Sequence, residues 1–215
     1  MGKLLQNILS CGFGAAMLAS SASAFADDTF DLLGQYETVE AMGSGWNLGN
    51  TLEANSNGTP SETVWGNPQA SSALMKLIKN SGFNTIRIPV SYLSKIGSAP
   101  DYKIDAAWLS RVKEVVDMAL AEDLYVITNI HGDGYHGVTG GWLLCDAQNQ
   151  TEIKAKFKAV WQQIATTFKD YDEHLIFESM NEVFDGTYEW QNPGVPYPNA
   201  GYYQNINDYN QIFVE

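Results

Sequence analysis

Between Gly43 and Val214 the chain alternates short apolar runs of strand length with amphipathic segments of helical period. That alternation restricts it to folds built from βα units around a parallel sheet. The first run lies at Gly43 to Asn47. Ser71 to Asn80 follows, with Leu74, Leu77 and Ile78 at helical spacing and Gly82 placed to end the helix. Thr85 to Val90 reads as the second strand. Asp105 then caps a helix that aligns Trp108, Val112, Val115, Val116 and Ala119 on one face. Leu124 to His131 is the third strand. Asn149 and Glu152 make a capping box before a helix striped by Ile153, Phe157, Val160, Trp161, Ile164 and Phe168. Leu175 to Glu182 is the fourth strand. An aperiodic stretch with Pro193, Pro196 and Pro198 separates it from a last helical segment, Tyr203 to Val214.

Strands that each precede a helix fit the first half of an eightfold barrel or a doubly wound open sheet. The segment Gly43-Ser44-Gly45-Trp46-Asn47 runs into a tryptophan where a dinucleotide fold would carry its glycine fingerprint. The expected fold class is therefore α/β, a (β/α)8 TIM barrel of which about the first four βα units are encoded.

Charge narrows the partners. Twelve basic residues stand against 25 acidic ones, a formal net charge of −13, which repels nucleic acid and anionic lipid and leaves a neutral substrate as the natural partner. At the N-terminus Lys3, the apolar stretch Ile8 to Leu18 and Ala24-Phe25-Ala26 have the order of a secretory signal, cleaved before Asp27. Residues 1–26 are the expected signal peptide and 27–215 the expected mature domain, secreted to the periplasm or the exterior. The apolar stretch is interrupted and shorter than the roughly 20 residues of a spanning helix, so no membrane attachment is expected after cleavage. Ile8-Leu9-Ser10-Cys11 also resembles a lipoprotein cleavage site, but cutting there leaves too few apolar residues upstream. Cys145 is then the remaining cysteine, with no partner for an intrachain disulfide.

Strand parity sorts the polar residues. Thr85, Arg87 and Pro89 share a face of the second strand, Asn129 and His131 of the third, and Glu178, Met180 and Glu182 of the fourth. At the C-terminal ends of barrel strands such groups reach the mouth where barrel enzymes act. Singly, each has a plain structural reading: Arg87 as partner of Glu178, His131 as a satisfied polar residue, Glu182 as a solvated loop carboxylate. Together, at successive strand ends, they describe a site.

Three segments carry a resemblance: Trp46-Asn47-Leu48-Gly49-Asn50-Thr51-Leu52, Phe83-Asn84-Thr85-Ile86-Arg87-Ile88-Pro89-Val90 and Ile176-Phe177-Glu178-Ser179-Met180-Asn181-Glu182. In order and spacing they resemble the opening segments of glycoside hydrolase family 5, the cellulase family of eightfold barrels. The resemblance implies retaining hydrolysis, with Glu182 as acid/base, Asn181 holding the substrate 2-hydroxyl, and Arg87 and His131 orienting carboxylates. It places the nucleophile on a seventh strand, beyond Glu215, so this stretch alone is expected to be inactive. Many members have a second His after the position of His131. Gly132 stands there, and His136 is the expected replacement contact.

Sugar faces are apolar and stack on aromatic rings. Trp46, Trp142, Trp190 and Tyr135, with the polar Asn47, are the expected substrate-binding residues, whereas Trp108 and Trp161 belong to helix stripes and Trp65 reads equally well as core or as site. No metal-ligand spacing is present and retaining hydrolysis requires no cofactor. The expected substrate is a β-1,4-glucan, with mannan, xyloglucan or mixed-linkage glucan as alternatives. A carbohydrate-binding protein without catalysis is the competing class.

Overall fold

In the computed structural model, residues 34–186 and 200–215 are described. Chain order begins with α1 (Gln35–Met42), β1 (Gly45–Asn47), the two-residue strands β2 (Asn55–Ser56) and β3 (Thr59–Pro60), and α2 (Ser72–Asn80). It continues through β4 (Thr85–Val90), α3 (Ala106–Leu120), β5 (Tyr125–Ile130), α4 (Gln150–Thr167), β6 (Leu175–Glu178) and α5 (Ala200–Val214). The main sheet has the parallel order β1-β4-β5-β6, which is chain order with no reversal. A doubly wound sheet would reverse at its switch point, so the sheet is wound in one sense, as in a barrel.

Side-chain alternation divides the sheet between folding and chemistry. Ile86, Ile88, Val90, Val126 and Ile130 point to one face, where they form a single core with α2, α3 and α4. The helical stripes of α3 and α4 are buried as their spacing requires. The other face carries Thr85, Arg87, Asn129 and Glu178. Asp105 caps α3 by accepting from the Trp108 amide at 2.8 Å.

Local expectations fail in four places. On α2 the buried residues are Met75 and Ile78, while Leu77 is 62% exposed, because the face toward the sheet lies one step further round. Asn149 does not cap the backbone of α4; its amide donates instead to the Glu152 carboxylate at 3.1 Å. β6 stops at Glu178, where its ladder to β5 ends at the pair Asn129–Glu178. One further bond, from the Asn181 amide to the Ile130 carbonyl at 3.0 Å, carries the chain on before it turns. Glu182 therefore leaves strand parity and sits at φ 47°. The hairpin of β2 and β3 was not expected either. Its turn, Asn57-Gly58, has φ of 50° and 78°, the left-handed pair of a tight hairpin, and a Cβ on Gly58 would lie 2.1 Å from the Thr139 carbonyl oxygen.

Candidate active site

Arg87 is the centre of the polar face. From β4 its Nε donates to Glu178 Oε2 at 2.7 Å and one terminal nitrogen to Glu178 Oε1 at 2.6 Å, a bidentate pair. The same nitrogen reaches Asn181 Oδ1 at 3.0 Å, and the other reaches Asn47 Oδ1 at 3.2 Å. One guanidinium thus ties β1, β4, β6 and the segment after β6. Asn129 adds a bond from its Nδ2 to Glu178 Oε1 at 2.9 Å. Partial burial alone would raise the Glu178 pKa, but the bonds from Arg87 and Asn129 outweigh it and hold the carboxyl below its ordinary value. Glu178 is a fixed anion and a partner for Arg87, as the plain reading of that pair anticipated.

Because Arg87 binds Asn181 through its oxygen, the amide orientation is set and its Nδ2 becomes the donor end. That nitrogen donates to the Tyr135 hydroxyl at 3.3 Å, and the Tyr135 hydroxyl donates to Glu182 Oε2. A continuous chain of hydrogen bonds therefore runs from Asn129 through Glu178, Arg87, Asn181 and Tyr135 to Glu182. Burial, with the Glu182 carboxylate beside it, pushes the Tyr135 hydroxyl well above its ordinary pKa, so it stays a proton donor.

His131 lies at the end of β5, with Nδ1 3.5 Å from Asn129 Nδ2. Burial and then the Arg87 charge lower its pKa to about 4, so the ring is neutral at neutral pH. Since an unfolded His titrates near 6.5, acidification through the window from about 6.5 to about 4 protonates the unfolded chain first. His131 should therefore cost stability as pH falls through that window. NMR titration of the ring protons should give a midpoint near 4, and a midpoint above 6 would place the ring in solvent.

Beside these groups lies an open groove of about 440 Å³. Asn50, Glu53, Asn55, Asn57, Trp65, His131 and Tyr135 supply its chemistry, and Gly58, Gly132 and Gly137 to Thr139 complete its walls. Glu53 is 7% exposed and accepts from the Asn50 and Thr51 amides at 2.5 and 2.9 Å, so its charge is met by backbone donors. Among the described residues no group of three or more His, Cys, Asp or Glu could hold a metal ion.

Comparison with known proteins matches this arrangement to one family. The sequence fits the profile of cellulase (glycosyl hydrolase family 5) over residues 49–215. Endoglucanase A of Paenibacillus barcinonensis is 54% identical over 201 residues, which is 94% of this chain and 48% of that protein. A family 5 xyloglucanase from Paenibacillus pabuli superposes with a TM-score of 0.77 at 62% identity, covering 82% of this chain and 47% of the other. A broad specificity endoglucanase from Clostridium acetobutylicum gives a TM-score of 0.73 at 42% identity, with 85% of this chain and 51% of the other covered. The chain belongs to glycosyl hydrolase family 5. It spans about half the length of the relatives it matches, and its sheet is the corresponding part of a family 5 barrel.

The residues expected to contact substrate have these partners within the protein. Asn47 lies in the network, bonded to Arg87. Trp46 pairs in register with Ile86, so it shares the helix-side face and points away from Asn47 and Arg87; its ring meets Phe83 edge-on at 5.5 Å. Trp142 is 9% exposed, its indole N–H donates to Asp133 Oδ1 at 2.6 Å, and Lys156 Nζ lies 4.4 Å from its ring centre. Both faces of the argument for stacking therefore fail: the ring is covered and its polar edge is used. Tyr135 acts through its hydroxyl while its ring stacks on Phe184 at 6.2 Å. The His136 ring is held by Asp146, Nε2 to Oδ1 at 2.8 Å, and it does not line the groove. Trp190 lies outside the described residues.

The sequence reading left Trp65 open between core and site, and it did not single out Asp133. Trp65 lines the groove at 50% exposure. Asp133 is fully buried and accepts from the Tyr92 amide at 3.1 Å and from Trp142, while its carbonyl receives the Trp142 and Leu143 amides at 2.9 and 3.0 Å. Burial raises its carboxyl to about 7. Asp133 thus shapes the loop that carries His131 and Tyr135, and Trp142 is part of that support. Trp142→Ala should destabilise the chain by about 3 kcal/mol or more in denaturant unfolding. A stable variant that merely lost oligosaccharide affinity would return Trp142 to the substrate.

Proposed function

We propose that this chain supplies the acid/base half of a retaining glycoside hydrolase site that cuts β-1,4-glucan internally, in a secreted enzyme. The observation that carries the reading is the chain of bonds from Arg87 to Glu182, set at the sheet's C-terminal edge beside an open groove lined by polar and aromatic residues. Glu182 then donates a proton to the glycosidic oxygen through the carboxylate oxygen that Tyr135 leaves unengaged, and later deprotonates the attacking water. Asn181, its orientation fixed by Arg87, presents Nδ2 to a sugar hydroxyl. Neutral His131 contributes a hydrogen-bonding edge without adding charge beside Arg87.

Retaining chemistry also needs an ionised carboxylate roughly 5 to 5.5 Å from the acid. Glu178 is engaged by Arg87 and Asn129, and Glu53 by two amides. We assign the nucleophile to the part of the catalytic domain that relatives carry outside the matched stretch. Xyloglucan is the second substrate reading, favoured by the similarity to the Paenibacillus pabuli xyloglucanase.

The test is reducing-sugar release by the complete catalytic domain on carboxymethylcellulose, lichenan, xyloglucan and glucomannan, with the anomeric form of the first product read by NMR. Turnover with the β-anomer formed first is expected. An α-anomer first, or no turnover on any of the four, would sink the assignment.

A further inference from the structure

The segment that carries Trp65 leaves β3 and returns to α2 as a closed loop. Its two ends, Glu62 and Ala70, are joined by a bond from the Ala70 amide to Glu62 Oε2 at 3.0 Å. Arg111, from α3, seals the same junction. Its Nε donates to Glu62 Oε1 at 2.6 Å, and one terminal nitrogen donates both to Glu62 Oε2 at 3.0 Å and to the Ala70 carbonyl at 2.8 Å. Glu62 is 6% exposed.

A buried ion pair adds little net stability over an apolar pair of the same shape, and what it contributes is a defined geometry. Here that geometry is the closure of a compact loop whose tip is exposed. Trp65 stands near the tip, its indole N–H given to the Asn55 carbonyl at 2.9 Å, so the ring presents apolar surface to the groove. Asn67 fixes the loop's far side by donating to the Gly49 carbonyl at 2.9 Å. Neither Arg111 nor Glu62 lines the groove or joins the Arg87 network.

We infer that Arg111 and Glu62 are positioning residues, a latch on α3 that holds Trp65 as a stacking platform for one pyranose ring of a long β-glucan. The inference rests on the glycan reading of the groove, and deepens it by assigning a subsite and its support. Asn55, Asn57 and Thr139 supply hydrogen-bonding groups around the ring's rim.

The test is a double-mutant cycle on the complete catalytic domain, held inactive by Glu182→Gln, with cellohexaose affinity measured by calorimetry. Trp65→Ala should weaken binding about ten-fold, the size of one aromatic contact. Glu62→Gln and Arg111→Lys should each weaken it by a similar factor. In the Trp65→Ala background neither should weaken it further, because the latch acts through the ring it holds. Losses that multiply, or latch variants that bind as the parent Glu182→Gln domain does, would overturn the inference while leaving the glycan reading intact. No cellohexaose binding by that parent would count against both. Should the latch variants unfold, exchange of the Trp65 indole proton in the wild type decides: slow exchange supports a held ring, and exchange at the rate of a free indole refutes it.

Discussion

Glu182→Gln is expected to slow polysaccharide hydrolysis by the complete catalytic domain by about 10² to 10⁴-fold, the usual contribution of a positioned acid. The substitution keeps the acceptor for the Tyr135 hydroxyl and removes the transferable proton. An aryl glycoside with an activated leaving group needs little protonation, so its glycosylation step should be far less affected. Release of the glycosyl enzyme should remain slow, because in the proposed mechanism the same residue activates the water. Added azide, which attacks without a general base, should restore part of the aryl-glycoside rate with retained configuration and do nothing for polysaccharide. Equal and modest losses on both substrates, indifferent to azide, would reduce Glu182 to a solvated carboxylate.

Arg87→Ala carries the second large effect, and it reaches both folding and chemistry. The pair with Glu178 is half-buried, with side-chain exposures of 26% and 34%, so the loss should lie between surface and core values, about 2 kcal/mol. Because folding depresses the Glu178 pKa, the pair's contribution is present above the ordinary carboxyl value of about 4.3 and is lost as pH falls through the lower folded value. The gap in melting temperature between wild type and variant should therefore be wide at neutral pH and close on strong acidification. A gap that is constant with pH would mean that packing, and not the ion pair, is what Arg87 contributes. Turnover by the complete domain should fall about 10²-fold or more, since Asn181 loses its anchor and misplacement of about an ångström is enough. Arg87→Lys keeps the charge but not the fork, and should recover part of the stability and little of the rate.

The sequence disclosed the sheet well where one rule governed each strand. Ile86, Ile88 and Val90 alternate with Thr85, Arg87 and Pro89, and the two sets face the core and the site as parity requires. The same rule misled at Met180 and Glu182, whose alternation continues past the point where β6 loses its partner strand. Pairing with a neighbour is not written in the strand that ends. Aromatics were harder still, because a tryptophan in a glycine-rich loop looks alike whether it meets sugar or core. For Trp142 the neighbouring Leu143 and Leu144, with an acid at Asp133 to take its N–H, were the available signal. For Trp46 strand parity carries the signal, since it falls one residue out of step with Asn47, which pairs with Arg87 on the site face. The β2–β3 hairpin left a trace in Asn57-Gly58, but strands of two residues offer no periodicity to confirm it.

Glu182 occupies a left-handed backbone conformation, at φ 47°, that a residue with a long side chain adopts only at a cost on the order of 1 to 2 kcal/mol. Glycine would relax that turn and asparagine would suit it better than glutamate. The position is thus one where the most durable version of this protein and the working version are different molecules. Selection for heat resistance or expression yield alone, without a demand for activity, would have a free-energy gradient leading away from glutamate here, and so, on the role proposed for Glu182, away from the acid. Chains recovered from such a selection would be expected to lose the reaction first at this residue, while the Ile86, Ile88 and Val90 core remained as it is.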